Sequence, residues 1–204
     1  MITGNLVNVQ GVDVWVNPEN SRMEMSRITE PTVSAAIRYH GGDHDMGGHL
    51  IADTIAVELA ELMADRTQVA AAQVLITGPG RLRESHGVQH IAHVAAVEGE
   101  PASGFRQVMS LGRCVHNILA ELDRLNDEGA ALRSVLLPLL GTGGGSSDIE
   151  KTVDRLVSGV AEYFRTHQGS RVRTVYLLAY TDAQEAVCRT ALNLQLAQEP
   201  GEQQ

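Results

Sequence analysis

Leu137-Pro138-Leu139-Leu140-Gly141-Thr142-Gly143-Gly144-Gly145-Ser146-Ser147 is the stretch whose reading decides the fold. An apolar segment runs straight into a glycine-rich loop, and a helical pattern follows. The strand, read as Ser134 to Leu140, delivers the chain to the carboxyl edge of a sheet. Glycines there reach positive φ without a Cβ clash, so backbone N–H groups can approach an anion closely. Ser146 or Ser147 is expected to cap the helix that begins near Asp148, whose dipole adds partial positive charge at the same place.

Working outward, Val12 to Val16 is a short β-branched run that stops at Asn17-Pro18, as a buried strand would. Thr29-Glu30-Pro31 is a helix-start arrangement, and that helix is expected to end at Gly41-Gly42. Leu50, Ile51, Thr54, Ile55, Leu59 and Leu62 repeat at helical spacing and predict a second helix from Gly48 to Asp65. Val74 to Thr77 and Val88 to Val97 are expected strands, separated by the turn Gly78-Pro79-Gly80. A long helix is expected from Phe105 to Asp127, ending at Gly129. After the glycine loop come a helix to His167, a strand from Val172 to Tyr180 and a helix from Asp182 to Leu196, capped by Thr181 or Asp182. This alternation predicts an α/β protein: a three-layer α/β/α sandwich around a mixed, mainly parallel sheet.

The 204 residues suit one domain, read as 1–197, with residues 198–204 as a polar tail or linker. Apolar residues make up 43% of the chain but aromatics only 3%, so the core must be built from Val, Leu, Ile and Ala. A formal charge of -9, with no basic run, argues against nucleic acid as a partner. No apolar run approaches the roughly 20 residues of a membrane span. The first residues carry no basic, apolar leader pattern, and Cys114 and Cys188 form neither a disulfide framework nor a metal knuckle. A cytoplasmic protein without a cofactor is the expectation.

In open α/β sheets ligands lie at the carboxyl ends of strands, and three segments with suitable chemistry converge there. They are Asn17 to Asn20, the glycine loop, and Tyr180-Thr181. Asn17 and Asn20 are equally turn residues that bond their own backbone. Tyr180 equally ends a buried strand. His40-Gly41-Gly42-Asp43-His44-Asp45 with His49 holds zinc-type ligands but no partner cysteine, so a solvated loop is expected and no metal. Period-two alternation places His86 and His90 on one face and His93 on the other, which argues against one metal shared by all three. Glu98 to Glu100 reads as a solvated turn, and no serine sits on a nucleophile turn.

In this order the segments resemble a macrodomain, the ADP-ribose-binding α/β/α module. Ile2-Thr3-Gly4-Asn5-Leu6 resembles the family's Gly-Asp-Ile motif, and Val12 to Asn20 resembles its Val-Asp-Ala-Ile-Val-Asn-Ala-Ala-Asn strand and loop. Val33 to Ile37 resembles the helix after the catalytic loop. Thr77 to Leu82 with Val88 to His93 resembles the Thr…Gly-x-Leu…Val-Ile-His segment, and Leu137 to Gly145 resembles the second phosphate loop.

The resemblance implies a ligand site formed by Asn5, Leu6, Asn17, Asn20, Ser34, Ile37, Gly141, Thr142, Gly143, Gly144, Gly145, Ser146 and Tyr180. Asn5, in place of the family's Asp, would accept from the adenine amine. The glycine loop would hold the diphosphate through backbone amides. Tyr180 would stack on adenine, worth roughly 1 kcal/mol, and Asn20 would reach the distal ribose. Ser21 to Pro31 lacks the family's glycines, and Ser34 stands where hydrolysing members place an acid. Only an inward fold of the loop would let Glu24 or Glu30 replace it. The expectation is therefore a module that binds ADP-ribose or a related NAD-derived nucleotide, or an ADP-ribosylated protein. The alternatives are an ADP-ribosyl or ADP-ribose-ester hydrolase, with Asn20 as the catalytic residue, and a sensing or scaffold module among further domains.

Overall fold

The computed structural model describes residues 1–100, 104–142 and 148–198. Its centre is a seven-stranded sheet in the order β1-β9-β8-β2-β6-β5, with β7 added to the end of β6. The strands are β1 Ile2–Thr3, β2 Val14–Asn20, β5 Val74–Thr77, β6 His90–Glu100, β7 Gly104–Gln107, β8 Ser134–Pro138 and β9 Thr174–Ala179. The pairs β1/β9, β9/β8, β8/β2 and β2/β6 are parallel, while β5 and β7 pair antiparallel with β6. Between β2 and β5 a hairpin, β3 Asp43–His44 and β4 Leu50–Ala52, stands apart as a two-stranded sheet.

Alternation along the central strands sorts the core into two layers. Val14, Val16, Val135 and Leu137 face a large cluster shared with α4 Leu111–Asp127, α5 Ile149–Thr166 and α6 Asp182–Gln198. Trp15, Ile91 and Leu136 face the other way, onto α1 Val33–Gly41, α2 Thr54–Met63 and α3 Leu82–His86. Both faces are thus apolar, as a covered parallel sheet requires. This is a three-layer α/β/α sandwich with a mixed, mainly parallel sheet, as the alternation of patterns predicts.

Several boundaries differ from expectation, each for a local reason. The second helix begins at Thr54, not Gly48. Asp45 Oδ1 accepts from the backbone N–H groups of Gly47 and His49 at 2.8 and 2.9 Å, which folds Asp43 to Ala52 into the hairpin. Asp53 then caps the helix by accepting from Ala56 N at 3.1 Å. Of the helical repeat, Ile55 and Leu59 are buried, whereas Leu62 is exposed and Ile51 is 67% exposed on the hairpin.

The long helix starts at Leu111, because Gly104 to Gln107 pairs antiparallel with the end of β6. The first helix is capped by Thr32, three residues later than the Thr29-Glu30-Pro31 reading, and α5 by Asp148 itself, whose Oδ1 accepts from Lys151 N. A short helix, α3, occupies the span between the glycine turn and β6. It puts His86 outside the strand, so the alternation argued for His86 and His90 does not apply. Cys114 and Cys188 are free and buried, and among the described residues no helix is long and apolar enough to cross a membrane.

Strand β2 runs on through Pro18 to Asn20. Its ladder to β8 ends at Trp15 opposite Leu136, while the ladder to β6 continues to Asn20 opposite Val97. Proline, with no N–H to donate, is tolerated there because one side of the strand has already lost its partner.

Candidate functional site

The end of the β2/β8 ladder is where the site begins. Both strands continue past their last paired residues, β2 to Asn20 and β8 to Pro138, so the ladder opens between them at the carboxyl edge. The loop after Asn20 leaves from one lip and the glycine loop from the other. Beside them, β8 stays paired with β9 to Leu178, and Gly4 N donates to Ala179 O at 2.9 Å, which sets Asn5 next to Tyr180 in the fold. A crevice at such an opening is the usual ligand position of open α/β sheets.

Each described residue among those named from the sequence has a definite place. Asn5 caps the 3-10 turn Leu6–Asn8, its Oδ1 accepting from Val7 N at 3.2 Å. Leu6 is buried beneath it. Asn20 turns back on its own loop: Oδ1 accepts from Arg22 N at 2.8 Å and Glu24 N at 3.4 Å. Gly141 has φ +72°, and Thr142 Oγ1 donates to Leu139 O at 2.8 Å, which closes the chain behind β8. Gly143, Gly144, Gly145 and Ser146 lie outside the described residues. Tyr180 is 65% exposed at the edge, with its backbone N–H held by Gln184 Oε1 at 2.7 Å. Ile37 is fully buried in the cluster around Trp15 and Leu82.

Asn17 and Ser34 belong to a buried polar chain beneath the crevice lip. Asn17 Nδ2 lies 2.7 Å from Glu19 Oε1 and 3.1 Å from His93 Nδ1. Ser34 Oγ donates to the same Glu19 oxygen at 2.6 Å and accepts from Ser26 N at 3.1 Å. On the far side, His93 Nε2 stands 3.0 Å from Thr77 Oγ1, which itself donates to Gly78 O. The consistent protonation puts the His93 proton on Nε2, so that Nδ1 accepts from the Asn17 amide.

Burial dominates the electrostatics of this chain. It raises the Glu19 carboxyl to about 8, against the pull of hydrogen bonds from Ser34 and Asn17 and the charge of Arg38. It lowers His93 to about 3. Near neutrality the group is therefore a neutral carboxylic acid, a neutral imidazole and an amide, which costs far less to bury than charges would.

Solved structures align with the chain over nearly its whole length. A mutant of the Oceanobacillus iheyensis macrodomain with ADPR aligns over 97% of this chain and 93% of its own, at a TM-score of 0.71 and 15% sequence identity. The chain has the macrodomain fold. The Oceanobacillus iheyensis macrodomain with ADP aligns at 0.69 and 15% identity, over 95% of this chain and 90% of its own. The Trypanosoma brucei macrodomain in complex with ADP-ribose aligns at 0.66 and 16% identity, over 94% and 67%. No family model and no curated protein matches the sequence.

Within this macrodomain fold, sequence reasoning gave no site role to Glu19, His93, Thr77 or Gln107. Glu19 left one signal, an acid inside an otherwise buried strand. Gln107 left none, since β7 itself was read as helix. Its Nε2 donates to Leu140 O at 2.5 Å and Thr152 Oγ1 at 3.0 Å, bridging the residue before the glycine loop to the first turn of α5. Among the described residues no group of three or more His, Cys, Asp or Glu side chains could hold a metal.

Proposed function

We propose that this macrodomain-fold chain binds ADP-ribose or a related NAD-derived nucleotide at the carboxyl edge of its sheet. The observation that carries the reading is the opening of the β2/β8 ladder between the two loops, with Asn5 and Tyr180 alongside. The solved neighbours with ADP and with ADP-ribose support the choice of ligand. Tyr180 would stack on the base. Gly141 and the glycines after it would present backbone amides to the diphosphate, which suits an acidic chain because amides bind an anion without a cation.

Binding is favoured over turnover. The Asn20 amide is engaged by Arg22 N and Glu24 N, Ser34 stands in the place of an acid, and the carboxyl that Ser34 bonds, Glu19, is buried and neutral. Calorimetric titration with ADP-ribose is expected to give one site of micromolar-range affinity, on the order of -8 kcal/mol. No heat and no thermal stabilisation at millimolar ADP-ribose would overturn the reading.

A further inference from the structure

A cavity of about 830 Å³ lies on the α1/α2 side of the molecule, lined in part by the loop that leaves the β2/β8 crevice after Asn20. Its size falls in the range of roughly 300–1,000 Å³ usual for small-molecule sites. The loop after Asn20 forms its wall toward the crevice and is pinned there. Met23, at φ +54° and 4% exposed, inserts beside Leu59 and Met63, and Val69 N donates to Ser21 O at 2.7 Å.

The chemistry of the lining runs against that of the chain. In a protein of formal charge -9, Arg22, Arg38 and Arg66 converge on this one cavity. Arg38 and Arg66 are held by described partners. Arg38 pairs through Nε with Asp53 and donates from Nη1 to Ser26 O at 3.1 Å. Arg66 donates to the carbonyl oxygens of Leu62 and Met63 at the end of α2, so no described carboxylate cancels its charge. Glu24 is the one carboxylate in the lining. In the same lining, three of the chain's six methionines, Met23, Met25 and Met63, supply thioether surface that adapts to an apolar body.

Fixed guanidinium forks match the oxygens of phosphates and carboxylates, and pre-positioning lowers the entropy lost on binding. We propose that this cavity is a second binding site, for a compact organic anion carrying phosphate or carboxylate groups. It is separate from the crevice where nucleotide binding is proposed and does not depend on that reading.

The methionines allow a direct test on the full chain. With ¹³C-methyl methionine labelling, inorganic pyrophosphate and, separately, citrate are titrated while the methyl resonances are followed. Saturable shifts of Met23, Met25 and Met63, with exposed Met46 unmoved, are expected for at least one of the two anions, and which anion acts identifies the head group. Arg66→Gln is expected to weaken the response about tenfold, the scale of one lost charge-assisted contact. Arg22→Gln, on the exposed loop, provides the same test should the end of α2 loosen. Shifts confined to Met109, two residues from the Gln107 side chain that abuts the glycine loop, would overturn the proposal. So would silence toward both anions at millimolar concentration, or a response that neither arginine variant changes. Repeating the titration with ADP-ribose present separates the two sites, because a failure of ADP-ribose to bind leaves the methionine readout intact.

Discussion

Ser34 Oγ donates a 2.6 Å hydrogen bond to Glu19 Oε1, joining the first turn of α1 to the end of β2. Fifteen residues apart in sequence, they bring a carboxyl group against the position that an acid would occupy in a hydrolysing relative. The acid has not been restored. Here it is a neutral structural tie, buried among groups that donate to it.

That state sets a pH dependence. Glu19 has its folded pKa raised above the ordinary value of 4.5 to about 8, so its contribution is full below 4.5 and is lost as pH rises through 8. His93, lowered from 6.5 to about 3, contributes fully above 6.5 and loses its contribution as pH falls through 3. From these two groups, stability rises from pH 3 to 4.5, stays nearly level to 6.5 and falls from 6.5 to 8. Glu19→Gln keeps both accepted hydrogen bonds without a titrating group. Denaturant unfolding should show the variant equal to wild type near pH 4.5 and more stable at pH 9, by at least about 1 kcal/mol. Parallel pH profiles for the two proteins would refute this.

Placing an acid at position 34 should fail for the same reason. Ser34→Asp sets a second carboxyl group against Glu19 in a buried setting, where ionising either one is costly, and removes the Ser34 donor, with an expected loss of about 3 kcal/mol. The double variant Ser34→Asp with Glu19→Gln should recover most of that loss, because one carboxylate can then accept from the amide and from Ser26 N. A double-mutant cycle measures the coupling, and additive losses would show that the two side chains do not meet as described.

Gly141 cannot carry a side chain without disturbing Gln107. At φ +72° a Cβ would also stand 2.9 Å from Gln107 Cγ and 3.1 Å from Gln107 Cβ. Gly141→Ala is expected to cost about 1–2 kcal/mol through the left-handed backbone alone, with more from the contact. Gln107→Ala in the same chain should relieve only the Cγ contact, and by itself costs the hydrogen bonds of Gln107 to Leu140 O and Thr152 Oγ1. Thermal melts of the three variants give the partition, and a wild-type melting temperature for Gly141→Ala would contradict it.

Tyr180 tests the proposed base contact without risk to the core, since the side chain is 65% exposed and its backbone N–H is what Gln184 holds. Tyr180→Ala should weaken ADP-ribose up to about tenfold, the scale of one aromatic stacking contact, and leave the melting temperature in place. Tyr180→Phe should bind as wild type. Equal affinity for all three proteins would remove Tyr180 from the site.

The sequence by itself determined the layered α/β class, because near-continuous Val, Leu and Ile runs that alternate with helical periodicity are satisfied by a sheet covered on both faces. It also marked the carboxyl-edge segments, since glycine loops and asparagine turns announce themselves over a few adjacent residues. Local periodicity could not separate the β3/β4 hairpin from α2, or β7 from α4, because in each case an apolar stretch served two elements and only the turn at Asp45 or the pairing with β6 divides it. Only the tertiary structure decided what the candidate residues do. Asn17, Ser34 and Ile37 lie inside the molecule and Asn20 bonds its own loop. The Glu19, His93 and Thr77 chain joins strands far apart in sequence. Whether a polar side chain faces a ligand or its own protein depends on which partners the packed fold brings within hydrogen-bonding distance, and a one-dimensional pattern does not contain that distance.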